Sequence, residues 1–164
     1  MASLKFNEGD YVVYPAHGVG RLVGKETHTI SGHSLELLVI SFDKDRMTLR
    51  LPVAKAKAAG LRSLSSKEEM EKALLTLSVK TKSRRLMWSR RAQEYENKIN
   101  SGNPVSIAEV LRELYKVHAE TDQSYSERQI YNAAMERLVR ELAVIEKTDE
   151  TSAMQRVETL LKAA

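Results

Sequence analysis

The 164-residue sequence contains no cysteine, which excludes disulfide bonds, thiolate nucleophiles and zinc sites built on cysteine. It lacks any apolar run long enough to cross a membrane, and its first ten residues lack the apolar core of a signal peptide. Tryptophan is also scarce, since Trp88 is the single one. We therefore expect a cytoplasmic protein that has no contact with a membrane.

The residue patterns of common catalytic and metal sites are also missing. The four histidines show no metal-ligand spacing, and no acidic calcium-binding loop accompanies them. The Gly18-Val19-Gly20 element is too short for a nucleotide-binding glycine loop. Serine and carboxylate residues form no recognisable catalytic set. The sequence thus predicts a protein that is not an enzyme and that holds no metal or cofactor.

The pattern of apolar residues changes near residue 62, which predicts an α+β protein of two domains. Over residues 1–62 the apolar residues alternate or form short β-branched runs, as expected for a small bent sheet or partial barrel. Over residues 63–164 they recur at helical spacing, which predicts a compact domain of five helices.

Turn and cap residues divide each domain into its elements. Strands are expected at residues 10–14, 19–30, 35–42 and 47–51, and a short helix at residues 53–59. Gly24 should bend the second strand, and Ser31-Gly32 should form the turn that follows it.

The helical domain carries several signals for the start of a helix. Serine followed three residues later by Glu or Gln occurs at Ser66, Ser106 and Ser126, which predicts a capping box at each. A helix is also expected between the first two signals, from about Ser83 to Asn100. The last helix should be capped near Thr148 or Asp149.

Positive charge is concentrated in residues 80–91, which we call the basic segment. It holds six Lys and Arg residues, no acidic residue, and Trp88. Cations attract the phosphate backbone, and an aromatic ring can stack on an unpaired base. The same tryptophan, however, lies at helical spacing from Ala92, Tyr95 and Ile99, and could belong to a buried stripe. Periodicity alone leaves both interpretations open.

Residues 6–20, which read Phe-Asn-Glu-Gly-Asp-Tyr-Val-Val-Tyr-Pro-Ala-His-Gly-Val-Gly, closely resemble the opening of the CarD/CdnL family of bacterial transcription regulators. The resemblance continues through residues 47–52, 59–62 and 88–91, the last reading Trp-Ser-Arg-Arg. The opening module also occurs in transcription-repair coupling factors, but 164 residues leave no room for helicase motifs. We therefore expect a CarD-type regulator.

The resemblance implies a Tudor-like first domain that binds the β subunit of RNA polymerase, with its last strand lying beside a strand of the polymerase. The run of residues 47–51 is short and ends at a proline, as exposed edge strands often do. Arg50 falls on a family position used in this contact, and Thr48 faces outward beside it. His28 falls where a relative has arginine, and it completes the expected polymerase-binding set.

The resemblance also implies that Trp88 enters promoter DNA at the upstream edge of the transcription bubble, with Arg90 and Arg91 on phosphates. The charge of the basic segment adds Arg84 and Arg85 to the expected DNA-binding set. The expected function is a monomeric transcription regulator that stabilises the promoter open complex, with little sequence specificity of its own. One alternative is a protein-interaction module that binds polymerase or another partner without touching DNA. Another is a general nucleic-acid-binding protein with no polymerase partner.

Overall fold

The computed structural model describes residues 6–42, 46–79, 88–120 and 125–163. The chain divides into two compact units, and the boundary between them in the sequence lies between Leu64 and Ser65. The first contains a β-sheet and the second is helical, so the predicted α+β class is confirmed.

The described strands of the first unit form one antiparallel sheet in the order β4-β3-β2-β1-β5. Their bounds are β1 Tyr11–Tyr14, β2 Gly18–Ile30, β3 His33–Phe42, β4 Met47–Pro52 and β5 Arg62–Ser63. The sheet is open, with β4 and β5 at its edges, rather than closed into a barrel. The sequence did not predict β5, a strand of two residues that pairs with β1.

A bulge in β2 bends the sheet where the sequence predicted a bend. The pairing of β2 with β3 shifts between Leu22 and Gly24, which leaves Val23 as the extra residue, 49% exposed. Because the bulge shifts the alternation, the even-numbered residues that follow it, such as Glu26, lie on the outer face. The outer face is the one opposite the apolar core of the unit.

Two glycines, one in the turn after β2 and one within β2, are required for different reasons. The predicted two-residue turn at Ser31-Gly32 is confirmed, and both residues have positive φ, as hairpin turns of this length prefer. At Gly20 the requirement is space, since a Cβ there would lie 2.7 Å from Ile40 Cγ2 and 2.8 Å from Phe42 Cε1. The glycine thus lets β3 side chains pack directly on the backbone of β2.

The inner face of the sheet carries the apolar core of the first unit. The helix α1, Val53–Ala56, contributes Ala56 to this core, and Gly60 follows it with a positive φ of 80°. The predicted short helix is therefore present but ends earlier than expected. The buried members of the core are Phe6, Val12, Leu22, Leu38, Ile40, Phe42, Leu51, Ala56 and Leu61.

The helical unit contains five helices among its described residues, as the sequence predicted. They are α2 Lys67–Leu77, α3 Trp88–Asn100, α4 Pro104–Glu120, α5 Tyr125–Glu146 and α6 Glu150–Lys162. Their apolar faces share one core, in which residues such as Leu111, Leu138 and Leu142 are fully buried. Within the described ranges, no helix is long and apolar enough to span a bilayer.

The predicted helix starts are only partly confirmed. Ser66 forms the capping box with Glu69, and Asp149 caps α6 by accepting from the Ser152 amide at 2.6 Å. The predictions at Ser106 and Ser126 are wrong, because both serines lie inside the first turn of their helices.

The actual cap of α4 is Asn103. Its Oδ1 accepts a hydrogen bond from the Val105 amide at 2.9 Å. Pro104 takes the first helical position, where its missing N–H costs nothing. Asn103 as the cap and Pro104 at the first helical position therefore place the helix cap three residues upstream of Ser106.

Candidate functional site

The strand β4 forms an edge of the sheet and presents the outward residues that the sequence assigned to polymerase binding. Met47 and Leu49 are partly buried and Leu51 is buried, whereas Thr48 and Arg50 are exposed, so the predicted alternation is present. An edge strand directs alternate backbone N–H and C=O groups away from its own sheet. This edge can therefore accept another strand while Thr48 and Arg50 remain accessible.

The outer face of the sheet joins Arg50 and His28 through a residue that the sequence did not single out, Glu26. Arg50 Nε donates to Glu26 Oε2 at 3.0 Å and Arg50 Nη2 donates to Oε1 at 3.5 Å. His28 Nε2 lies 2.9 Å from the same Oε2 atom. Arg50 and His28, which are 22 positions apart in the sequence, thus contact the same carboxylate.

The electrostatics of this cluster favour the charged form of Glu26. Hydrogen bonds from Arg50, and secondly from His28, hold the pKa of the Glu26 carboxyl below its ordinary value. About half of the Arg50 and His28 side chains stays exposed, at 51% and 49% respectively. The cluster therefore combines fixed geometry with access from outside.

The basic segment lies only in part within the described residues. Arg84 and Arg85 lie outside them. Trp88 is the first residue of α3, and its side chain lies outside what the structure describes. The predicted DNA contact of these three residues therefore remains a prediction.

The face of α3 that follows Trp88 packs against the core of the helical unit. Tyr95 and Ile99 are 1% and 5% exposed, and Ala92 is partly buried. The buried stripe that periodicity predicted is therefore present from Ala92 onward. Its presence does not by itself place Trp88 in that stripe, since Trp88 lies one turn before Ala92.

The two arginines after Trp88 differ in their surroundings. Arg90 is exposed. Arg91 is partly buried, and its Nε and Nη2 atoms donate to the Tyr95 hydroxyl at 3.4 and 3.2 Å. The guanidinium carbon of Arg91 also lies 5.8 Å from the centre of the Tyr95 ring. Arg91 is thus bound to the core residue Tyr95, whereas the Arg90 side chain faces solvent.

The Tyr95 hydroxyl connects α3 to α4. Burial, above all, raises the pKa of Tyr95; the hydrogen bond from Arg91 acts in the opposite direction, and a hydrogen bond with Glu113 of α4 raises it again. Because a carboxylate accepts, the hydroxyl donates to Glu113 while it accepts from Arg91. Arg91, Tyr95 and Glu113 therefore form a polar chain between two helices. The sequence showed the spacing of Arg91 and Tyr95 but not the partner on α4.

No group of histidine, aspartate or glutamate residues in the described part of the chain is arranged to hold a metal ion. The arrangements that the structure does present are two surfaces, one on each unit. One is an edge strand with the cluster of Arg50, Glu26 and His28 on its outer face, and the other is the start of α3 with an exposed arginine. Such surfaces are suited to binding a macromolecule.

Comparison with known families separates the chain at the same place as its fold. Residues 6–65 match the CarD-like/TRCF RID domain, and residues 72–158 match the CarD C-terminal domain. The chain belongs to the CarD family. This membership identifies it as a transcription-related regulator that interacts with RNA polymerase.

Two relatives illustrate the extent of the similarity. The Bacillus subtilis protein YdeB, named as a candidate transcription factor, is 28% identical over 145 residues, which cover 88% of this chain and 95% of YdeB. The solution structure of the 72-residue N-terminal domain of Myxococcus xanthus CarD is 32% identical, with a TM-score of 0.32. That comparison covers 38% of this chain and 84% of the CarD domain.

Proposed function

We propose that this CarD family chain binds the β subunit of RNA polymerase through β4 and stabilises the promoter open complex by placing Trp88 at the upstream edge of the bubble. The observation that carries the proposal is the open edge at β4, whose outward residues Thr48 and Arg50 are exposed. The protein would act in the cytoplasm, where polymerase meets promoter DNA.

The polymerase contact follows from the chemistry of an edge strand. Backbone hydrogen bonds to an added strand supply affinity, and side chains on the two faces supply specificity. Arg50 and His28 lie on the same outer face, where Arg50 extends over β3 to Glu26 on β2. A partner that adds a strand to β4 and also covers part of this face would meet the remaining donors of Arg50, which favours carboxylates or exposed carbonyl oxygens there.

The DNA contact follows from the residues at the start of α3. Arg90 is exposed and carries a charge that attracts phosphate without reading sequence. The indole of Trp88 would stack on bases or wedge between them at the junction of duplex and bubble. The preceding Arg84 and Arg85 would add to the phosphate contacts.

The effect on transcription depends on differential binding. A ligand shifts an equilibrium only if it prefers one state, and a preference of about 1.4 kcal/mol for opened DNA makes the open complex about tenfold more populated. Binding to polymerase raises the local concentration of the helical unit at the promoter. A weak DNA contact then suffices.

The lifetime of the open complex, measured with purified polymerase and a heparin challenge, tests the proposal. Addition of the protein should lengthen the lifetime on promoters of unrelated sequence. An unchanged lifetime, with the protein bound to polymerase, would contradict the DNA part of the proposal.

A second function is favoured by one observation, the burial of Tyr95 and Ile99 on the face of α3 that follows Trp88. If Trp88 continues that buried face, the chain is a polymerase-binding module without a DNA wedge. Polymerase affinity would then be the same, but the open-complex lifetime would not respond to the protein.

A further inference from the structure

We infer that Glu26 is a positioning residue, whose carboxylate fixes Arg50 and His28 as one recognition unit on the outer face of the sheet. The inference rests on the proposed function, because it concerns the same polymerase-facing surface. It adds a residue that neither the motif nor the family resemblance assigned to that surface. Glu26 itself would act through Arg50 and His28 rather than by contact with polymerase.

The geometry gives Arg50 a defined orientation. Two of its nitrogens, Nε and Nη2, donate to the two oxygens of one carboxylate at 3.0 and 3.5 Å. Such a paired arrangement fixes the plane of the guanidinium as well as its position. His28 is held to Oε2 of the same carboxylate at 2.9 Å, so its ring is placed relative to Arg50.

The ion pair crosses the strand between its two partners. Arg50 on β4 lies opposite Val39 of β3, and Glu26 on β2 lies opposite Leu37. Since neighbouring strands lie about 4.8 Å apart, the pair spans roughly 10 Å across β3. Leu37 and Val39 are only 9% and 7% exposed, although both belong to the outer face. The long side chains therefore extend over an apolar surface, which favours an extended Arg50.

Glu26 leaves Arg50 able to bind a partner. A guanidinium has five N–H donors, and the bonds to Glu26 use the edge formed by Nε and Nη2. The edge formed by Nη1 and the second hydrogen of Nη2 offers a further pair of donors. Because Arg50 is already held in place, it loses less conformational freedom when the partner binds. Glu26 should therefore strengthen the contact rather than compete for it.

The first test measures the affinity of the full chain for core RNA polymerase. Glu26→Gln removes the charge with little change of shape and should weaken binding about three- to tenfold, as expected for an exposed charge-assisted contact. Glu36→Gln is the matched control, since Glu36 is exposed on β3 of the same hairpin and lies opposite Thr27 on the inner face. Its affinity should equal that of the wild type.

Four results would overturn the inference. Equal weakening by both variants would indicate a general charge effect, and tighter binding by Glu26→Gln would show that Glu26 competes with polymerase for Arg50. If the wild type itself fails to bind polymerase, the proposed function is wrong and the inference falls with it. If the wild type and Glu26→Gln bind equally well, only the inference falls.

A second measurement separates positioning from a purely structural role. In the double variant Arg50→Ala, His28→Ala, the additional change Glu26→Gln should cause no further loss of affinity for core RNA polymerase. In the free protein, the NMR signal of the Arg50 Nε–H group should shift and exchange faster with water in Glu26→Gln, and remain unchanged in Glu36→Gln. A further loss in the first experiment, or an unchanged signal in the second, would contradict the inference.

Discussion

The guanidinium of Arg91 donates two hydrogen bonds to the hydroxyl of Tyr95, one helical turn further along α3. Tyr95 is 1% exposed, so this contact ties a surface arginine to the core of the helical unit. The neighbouring Arg90 has the same charge but is exposed. Two adjacent arginines of one motif are therefore expected to contribute to function in different ways.

The first prediction separates these two arginines by stability. Arg91→Ala leaves the buried Tyr95 hydroxyl without this donor and should lower the free energy of unfolding by about 1–2 kcal/mol. Tyr95→Phe removes the hydroxyl but keeps the ring, and should have an effect of similar size. Arg90→Ala should change the free energy by less than about 0.5 kcal/mol. Urea unfolding measures all three, and equal losses for Arg90→Ala and Arg91→Ala would contradict the assignment.

The second prediction concerns phosphate binding by Arg90. Arg90→Ala should shorten the open-complex lifetime on promoters of different sequence alike, because a phosphate contact carries no sequence information. In a plot of the logarithm of the open-complex lifetime against the logarithm of the salt concentration, Arg90→Ala should reduce the magnitude of the slope by about one. A loss confined to one promoter would instead indicate base readout. The check is the lifetime at several salt concentrations on at least three promoters.

The third prediction concerns the polymerase contact. Arg50→Glu reverses the charge of an exposed residue on β4 and places a second carboxylate beside Glu26. It should weaken binding to core polymerase at least tenfold while the circular dichroism spectrum stays unchanged, because the inner face of the strand is untouched. An affinity equal to that of the wild type would remove Arg50 from the polymerase contact.

The fourth prediction decides the role of Trp88. If it is a DNA wedge, Trp88→Ala should keep nearly the wild-type melting temperature and polymerase affinity but lose most of its effect on the open-complex lifetime. If it is a core residue, the change should cost about 3–5 kcal/mol. A thermal melt distinguishes the two before any transcription assay. A large loss of stability would favour the polymerase-binding module without a wedge.

The fifth prediction follows from the lowered pKa of Glu26. A carboxyl whose pKa is lower in the folded state stabilises the fold above its unfolded pKa of about 4.3, and this contribution is lost as the pH falls through the folded value. The midpoint of a ¹³C NMR titration of Glu26 should therefore lie below that of a glutamate in an unfolded peptide measured under the same conditions. In Arg50→Ala, which removes the largest cause of the shift, the midpoint should rise towards the value of that peptide. A midpoint unaffected by Arg50→Ala would contradict the ion pair.

The sequence alone predicted those structural features that depend on one residue and its near neighbours in the chain. The alternation of residues 47–51 predicted which side chains of β4 face outward. The caps at Ser66 and Asp149 were predictable because a cap involves only three or four consecutive residues. The Ser-x-x-Glu pattern at Ser106 gave a wrong prediction of the helix start, because this pattern also occurs inside helices. The choice between competing starts depended on Asn103 and Pro104.

Tertiary structure alone decided which distant residues meet. Glu26 and Arg50 come together because the bulge at Val23 and the registers of two strand pairs place them on one face of the sheet. No periodicity within a single strand contains that information, since each register is set by turns and packing elsewhere. The burial of Tyr95 and its link to Glu113 likewise required α4 to pack against α3. Sequence thus determined the elements and their outward residues, whereas packing between elements determined their partners.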